Sequence, residues 1–322
     1  MENIITKKQK IKCIESVFGE GNVTNGADNI SVKCPSCRSQ SKNSSKKKKL
    51  AISLENGMYH CWVCEIKGRN IGLIARKYKL ANKNELAELY DVFNAKKEDD
   101  VEKEITISLP EDFSLLHNKK GYAAKSCLNY LKERGLDYSD VLKFKFGISN
   151  SLDYANRIII PSHNENLDLN FYLSRSIEPN AFRKYKNCEA KRKDIIFNEY
   201  LVDWQNPVVL VEGLFDAIKA GENAIPILGS WINEEYYLFE KIVKNNTPVI
   251  LGFDPDAKDK ERKVADLLYQ YDIDVFVLDN YNKDFGDMSK KQVKSLIDNA
   301  KLYEQFDRIT YLIQSIKSGS LF

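Results

Sequence analysis

Residues 208–221 read VVLVEGLFDAIKAG, residues 224–230 read AIPILGS, and residues 248–256 read PVILGFDPD. Two of these short apolar runs end in carboxylates: Val208–Val211 leads into Glu212, and Val249–Phe253 leads into Asp254 and Asp256. A third run, Ala224–Leu228, lies between them and stops at Gly229. Short apolar runs alternating with helical stretches predict parallel strands joined by crossover helices. Ligands of such sheets collect beyond the carboxyl ends of the strands, so Glu212, Asp254 and Asp256 are expected on one edge. Clustered carboxylates repel, by ~4 kcal/mol per pair at about 4 Å and an effective dielectric of about 20. A divalent cation relieves that cost, and an all-oxygen donor set suits Mg²⁺ or Mn²⁺.

Downstream, Asp274–Leu278 predicts a fourth strand, followed by YNKDFGDM with Lys283, Asp284 and Asp287. One strand-end aspartate means little, because such residues often cap the next helix. Five acids at the ends of three strands point to a metal site.

Upstream lie two cysteine pairs, Cys34/Cys37 in KCPSC and Cys61/Cys64 in YHCWVC. Paired CxxC knuckles at this separation predict a zinc ribbon with a hairpin between them. Four thiolates leave no open coordination position, so a single zinc there is structural and contributes about 10 to 16 kcal/mol of apparent binding energy to folding. His60 adjoins Cys61 but is a surplus candidate, expected at the surface or beside the ligands. Arg38, Lys42, Lys46–Lys49, Lys67 and Arg69 surround the knuckles, with Tyr59 and Trp62 among them. Basic groups beside aromatics suit single-stranded nucleic acid. Trp62 reads equally well as a base-stacking platform or as packing against the knuckle.

The chain has 322 residues, 43% hydrophobic and 30% charged, with a net charge of +3. That length suggests two or three domains. The positive charge is local, at Lys46–Lys49 and in Arg183–Lys193, which fits phosphate-bearing partners. Seven cysteines with four in metal spacing argue for a reducing compartment, not a disulfide framework. No run approaches 18 apolar residues and MENIITKKQKIK lacks an apolar signal core, so a soluble cytoplasmic protein with no membrane partner is expected. Cys13, Cys127 and Cys188 are assigned to small apolar sites.

Helical patterns occupy residues 1–20 and 71–94. AKKEDDVEKE, residues 95–104, has no apolar face and reads as a mobile linker. Residues 121–148 predict two short helices split at Gly135. Ile158–Pro161 and Leu167–Ser174 predict a strand hairpin with Arg157 and Arg175 at its ends. RKYKN follows at Arg183–Asn187. Residues 289–322 read as helical throughout, as a cap on the core or a docking surface.

In this order, VEGLFDAIKAG, ILGS, GFDPD with KERKVADLL, and KDFGD resemble a TOPRIM domain, which primases and topoisomerases share. With the ribbon KCPSC…YHCWVC before it, and LNYLKERGLDYSDVLKFKFGI and NRIIIP between, the chain resembles DnaG-type primases of bacteria and bacteriophages. The resemblance covers roughly residues 30–75 and 120–290. It implies an α/β multidomain fold: a zinc-ribbon DNA-binding domain at 1–94, a charged linker at 95–108, and a mixed α+β primase subdomain at 109–206 that forms the N-terminal part of the RNA polymerase domain. A parallel TOPRIM catalytic sheet at 207–290 and C-terminal helices at 291–322 complete it.

The resemblance also implies roles. Glu212, Asp254 and Asp256 match the family's catalytic acids, with Glu212 holding metal or moving a proton. Asp284 matches the first acid of the third acidic motif. Many relatives read KDPD there, whereas here Gly286 takes the second acidic position and Asp287 falls one residue later, so either Asp284 or Asp287 is the metal ligand. Arg157 matches the basic residue before the apolar-then-Pro stretch. Arg175, Lys184 and Lys186 fall where template or nucleotide phosphates bind. The implied activity is synthesis of RNA primers from ribonucleoside triphosphates on a single-stranded DNA template, with two Mg²⁺ or Mn²⁺ ions. No G-x4-G-K-S/T phosphate loop occurs, so a replicative helicase is expected in trans, in the host cytoplasm if the protein is bacteriophage-encoded. The rival readings are a TOPRIM nuclease using the same acids, and a non-catalytic zinc-ribbon protein that grips single strands or a helicase.

Overall fold

The computed structural model describes residues 5–24, 26, 28–38, 48–94, 107–229, 232–278 and 283–318. Lys42, Lys46, Lys47 and residues 95–104 of the expected linker lie outside these, as does the side chain of Arg38. In chain order the elements begin α1 (Lys7–Phe18), β1 (Asn22–Val23), β2 (Asn29–Val32), α2 (Pro35–Arg38), β3 (Leu50–Ser53), β4 (Tyr59–Cys61), β5 (Lys67–Gly68), α3 (Ile71–Lys77) and α4 (Lys83–Asn94). They continue with β6 (Ser114–Leu115), α5 (Tyr122–Glu133), α6 (Tyr138–Lys143), β7 (Gly147–Ile148), β8 (Arg157–His163), β9 (Leu169–Ser176) and β10 (Tyr185–Asn187). The last set is β11 (Val208–Val211), α7 (Leu214–Ala220), β12 (Ala224–Pro226), α8 (Tyr237–Asn245), β13 (Val249–Gly252), α9 (Lys258–Tyr269), β14 (Val275–Val277), α10 (Lys290–Asp298), β15 (Lys301–Leu302) and α11 (Gln305–Ser318). Among the described residues no helix is long and apolar enough to cross a membrane.

The chain divides into two compact units, one of residues 1–102, 232–247 and 266–273, the other of 103–231, 248–265 and 274–322. The first is built on an antiparallel sheet in the order β1-β2-β3-β4-β5. Alternation in β2 and β3 buries Ile30, Val32, Leu50 and Ile52, as a period of two requires. Thr6 and Gln9 close a capping box at the start of α1, which buries Cys13, Ile14 and Phe18. A Cβ on Gly72 would meet the Tyr90 ring at 2.8 Å, so only glycine lets α3 seat Tyr90. Arg76, at the last turn of α3, donates to the carbonyls of Val243, Tyr271 and Asp272 and to the Asn246 side chain.

The second unit holds two sheets. One is antiparallel, β10-β9-β8-β7-β6, and α5 packs its Ala124, Cys127 and Leu131 into the core with Ile158, Ile160, Phe171 and Leu173. The two helices expected across residues 121–148 are α5 and α6, the second capped by Asp137. The other sheet runs β12-β11-β13-β14-β15, with the first four strands parallel and in register as Val209–Ala224, Leu210–Leu251 and Ile250–Phe276. All four residues of β11 are buried, the mark of a strand covered on both faces.

The C-terminal stretch departs from the all-helical reading. After α10 the chain forms β15, antiparallel to β14, and Tyr303 N donates to Val275 O at 2.7 Å. Two exposed residues carry no periodicity, so this edge strand left no pattern in the sequence.

Candidate active site

The parallel sheet sets the acids by its own geometry. Val211 and Gly252 end adjacent, registered strands, so Glu212 and Asp254 follow at one edge. Asp254 is half-buried, and its carboxyl is pushed up to about 6, first by burial and then by Asp216, Asp284, Glu212 and Asp256. Four of the five expected acids thus share one field. Asp287 does not join them there; its charge acts on Lys219. The backbone turn Phe285–Asp287 explains the split, since Asp287 N donates back to Asp284 O and separates the two side chains.

Asp216 is a fifth acid that the sequence reading passed over. It lies in the first turn of α7, four residues after Glu212. Burial raises its carboxyl above the ordinary range, with Asp284 adding to the shift, while backbone amides of Gly286 and Gly213 bond it and oppose the rise. A Cβ on Gly213 would meet Asp216 Oδ2 at 2.5 Å, which accounts for the glycine after Glu212. The i, i+4 spacing of Glu212 and Asp216 at a helix start was the available signal.

Two lysines brace the site. Buried Lys219 donates to Gly286 O at 2.5 Å and Met288 O at 2.8 Å, fixing the turn that follows Asp284. Lys260 pairs with Glu212 Oε2 at 2.8 Å, while Glu212 Oε1 is buried and has no hydrogen-bond partner. That orphaned oxygen and the crowding that raises Asp254 suit a hard divalent cation, which Glu212, Asp254, Asp256, Asp284 and Asp216 could hold, although their oxygens do not close into a group as tight as the four cysteines.

The cysteines converge as their spacing required. The Sγ atoms of Cys34, Cys37, Cys61 and Cys64 all lie within 4.8 Å of one another, and among the described residues they alone form so close a group of His, Cys, Asp or Glu. Cys34–Cys64 and Cys37–Cys61 are each 3.7 Å apart. A tetrahedron with zinc–sulfur bonds of about 2.3 Å has edges of about 3.8 Å, so the donor set fits structural zinc. His60 stands outside it, bonded to Glu65 at 3.0 Å. Trp62 is 69% exposed, and the His60 ring lies near-perpendicular to it with centroids 4.5 Å apart.

The four basic candidates do not form one patch. Strand register pairs Arg175 with Tyr185 and with Ile158, on the face that α5 covers. Arg157, Lys184 and Lys186 fall on the alternate face by the period of two. Arg157 donates to Arg183 O at 2.7 Å and keeps a buried, unpartnered Nη1. Lys186 is engaged by Asp153 at 3.1 Å and the Tyr154 ring at 4.6 Å, whereas Lys184 is exposed.

The site is therefore a carboxylate cluster at the carboxyl edge of a parallel sheet, in a chain that also carries a tetrathiolate ribbon. No family model matches the chain. A curated DNA primase of Campylobacter jejuni is 24% identical over 262 residues, covering 66% of this chain and 43% of that protein. The chain thus spans less than half the length of this relative, and the match bears out the resemblance to primases read from the motifs. Among solved structures, the zinc-binding and RNA polymerase domains of Aquifex aeolicus primase align with a TM-score of 0.48 and 17% identity, over 92% of this chain and 86% of that one. The catalytic core of the E. coli primase aligns with a TM-score of 0.48 and 14% identity, over 63% of this chain and 80% of that one.

Proposed function

We propose that the chain is a DNA primase, which joins ribonucleotides into short RNA primers on a single-stranded DNA template. The observation that carries this reading is Asp254, held half-buried among Asp216, Asp284, Glu212 and Asp256. Crowding acids at the end of a strand is costly, and a phosphoryl-transfer site is where that cost has a use. Divalent ions bound there would stabilise charge on the attacking and leaving oxygens of an in-line displacement. Asp254 and Asp256 would hold them from the loop after β13, with Asp284 and Asp216 opposite and Glu212 offering its free Oε1. Of the two candidates in the third motif, Asp284 is the proposed ligand.

Arg157, Arg175 and Lys184 would bind phosphates through charge-assisted hydrogen bonds. The ribbon, with zinc on its four cysteines and an exposed Trp62, would hold template bases by stacking. The division into ribbon domain, linker, basic polymerase part, TOPRIM part and C-terminal helices belongs to the same reading. So do a cytoplasmic setting and a replicative helicase recruited in trans.

The test is primer synthesis. Purified protein with ribonucleotides, Mg²⁺ and a mixed-sequence single strand should yield short labelled RNA, and Asp254→Asn with Asp256→Asn should abolish it. Cutting of the template without RNA product would make the chain a nuclease. Neither product nor cutting, with helicase added, would reduce it to a binding protein.

A further inference from the structure

Lys219, on α7, is a lysine only 5% exposed. A charge in the interior persists only where polar groups receive it. Two of its three N–H donors go to Gly286 O at 2.5 Å and Met288 O at 2.8 Å. Both carbonyls belong to the short turn after Asp284. Within that turn the carbonyls of Asp284 and Phe285 are taken by the amides of Asp287 and Met288, whereas those of Gly286 and Met288 face Lys219. Burial pulls the ammonium below its ordinary pKa, and the fields of Asp216 and Asp287 push it back up. Carbonyl oxygens next to carboxylates are the surroundings that hard cations take, and here a side chain of the protein fills them.

Among the described residues Lys219 closes no ion pair, so its charge is not spent on one carboxylate and acts on the acids as a field. Gly286 stands between the two signs of charge: its amide bonds Asp216, and its carbonyl accepts from Lys219. Asp216 feels Asp284 in turn, and both act on Asp254. The ammonium is thus one peptide unit away from the Asp216–Asp284 end of the cluster, while Lys260 balances Glu212. Two fixed monocations meet the acids before any metal arrives. A lysine that only braced the turn would favour a metal, by fixing Asp284. A fixed positive charge at this place opposes one, because a divalent ion feels twice the repulsion that a unit charge does.

We propose that Lys219 is a resident cation of the acid cluster, seated on the carbonyls of Gly286 and Met288, and that its charge opposes the binding of a divalent ion by Glu212, Asp216, Asp254, Asp256 and Asp284. The inference rests on the reading of that cluster as a metal site. Lys219 acts through its charge and touches carbonyls, not the ion. The consequence is a divalent ion held loosely in the free protein and more firmly once an anionic ligand adds negative charge.

The experiment titrates the full, zinc-loaded chain with Mn²⁺ alone and follows the EPR signal of the free ion. Lys219→Gln removes the charge and keeps a donor for Gly286 O, and Lys219→Met removes the charge at similar volume. Each should bind Mn²⁺ about 10- to 100-fold more tightly than wild type. Adding Asp254→Asn to either variant should abolish the gain, which places the ion on the acid cluster. The sign of the change separates charge from bracing. Unchanged or weaker Mn²⁺ binding in a folded variant overturns the resident cation and leaves Lys219 a brace for the turn. A gain that survives Asp254→Asn overturns it as well, and so does a chain that binds no Mn²⁺ with or without Lys219. The primase reading fails separately: wild type that makes no primer, while Lys219→Gln tightens Mn²⁺ through Asp254, retains the resident cation and loses the polymerase.

Discussion

Lys260 Nζ sits 2.8 Å from Glu212 Oε2, while Glu212 Oε1 is buried with no hydrogen-bond partner. Lys260 also lies 5.2 Å from the Phe253 ring. A resident monocation thus balances one edge of the acid cluster and leaves one oxygen of the same carboxylate for another ligand. Removing that lysine strips a compensating charge from Glu212. Lys260→Met should lower the unfolding midpoint in EDTA by ~1–2 °C, equivalent to about 1 kcal/mol in a chain of this size. Added Mg²⁺ should then raise the midpoint more in the variant than in wild type, because the cation takes over the lost balance. A smaller Mg²⁺ response than wild type would instead make Lys260 a residue that aims Glu212 at the cation.

Asp254 carries the second prediction. Burial, then its four acidic neighbours, raises its carboxyl to about 6, above an unfolded value near 3.9. A raised carboxyl means that the folded state binds more protons than the unfolded state between those two values. Stability contributed by this group is therefore present at low pH and lost as pH rises through about 6. Asp254→Asn removes the repulsion, so in EDTA it should raise the midpoint by ~1–3 °C at pH 7.5 and leave it unchanged at pH 4. The same variant should lose most of the Mg²⁺-induced shift. Equal midpoints at pH 7.5 would show that Asp254 bears no repulsion to relieve.

Arg76 makes a third case, within the unit that carries the ribbon. Its guanidinium reaches the carbonyls of Val243, Tyr271 and Asp272, and burial pulls it below its ordinary pKa. Val243 lies in the last turn of α8, where its carbonyl otherwise accepts only from the cap amide of Asn246 at 3.3 Å. Arg76→Ala should cost about 1 to 3 kcal/mol, since it removes charge-assisted bonds to the part-buried carbonyls of Tyr271 and Val243 at once. Arg76→Lys should recover only part of this, because a point charge cannot span acceptors that a planar fork reaches together. Urea unfolding monitored by zinc release measures both, and equal stability of the lysine variant would show that charge alone suffices.

These residues show what the sequence could and could not disclose. Val208–Val211 and Val249–Gly252 were readable as strands because both faces are buried and the run is unbroken. The cysteines were readable because thiolate–zinc geometry tolerates few spacings. Asp216 escaped because a lone acid in a first helical turn is common, and only the amides of Gly213 and Gly286 give it a place in the cluster. The separation of Arg175 from Lys184 and Lys186 depends on which face of β9 and β10 each occupies, and that follows from register, not from composition. Arg134 and Tyr130 on α5 meet Arg175 of β9 through the Tyr130 hydroxyl, a long-range contact that no local period encodes.

The ribbon supplies the last prediction. Cys34, Cys37 and Cys61 are buried, and their unit's sheet is made of short strands whose hydrophobic faces are small. A tetrathiolate zinc site contributes about 10 to 16 kcal/mol of apparent binding energy, far more than such a sheet gains alone. Metal analysis should return a single zinc per chain, and Cys37→Ala or Cys61→Ala should lose it. Prolonged chelation should unfold the ribbon while the parallel sheet of the other unit survives, since that sheet has its own buried core of Val209, Val211, Ala217 and Val293. Hydrogen exchange would read this directly, with β3 and β4 losing protection and β11 and β13 keeping it. Retained protection in β3 and β4 after complete zinc removal would mean that the hydrophobic faces of the ribbon hold it without the metal.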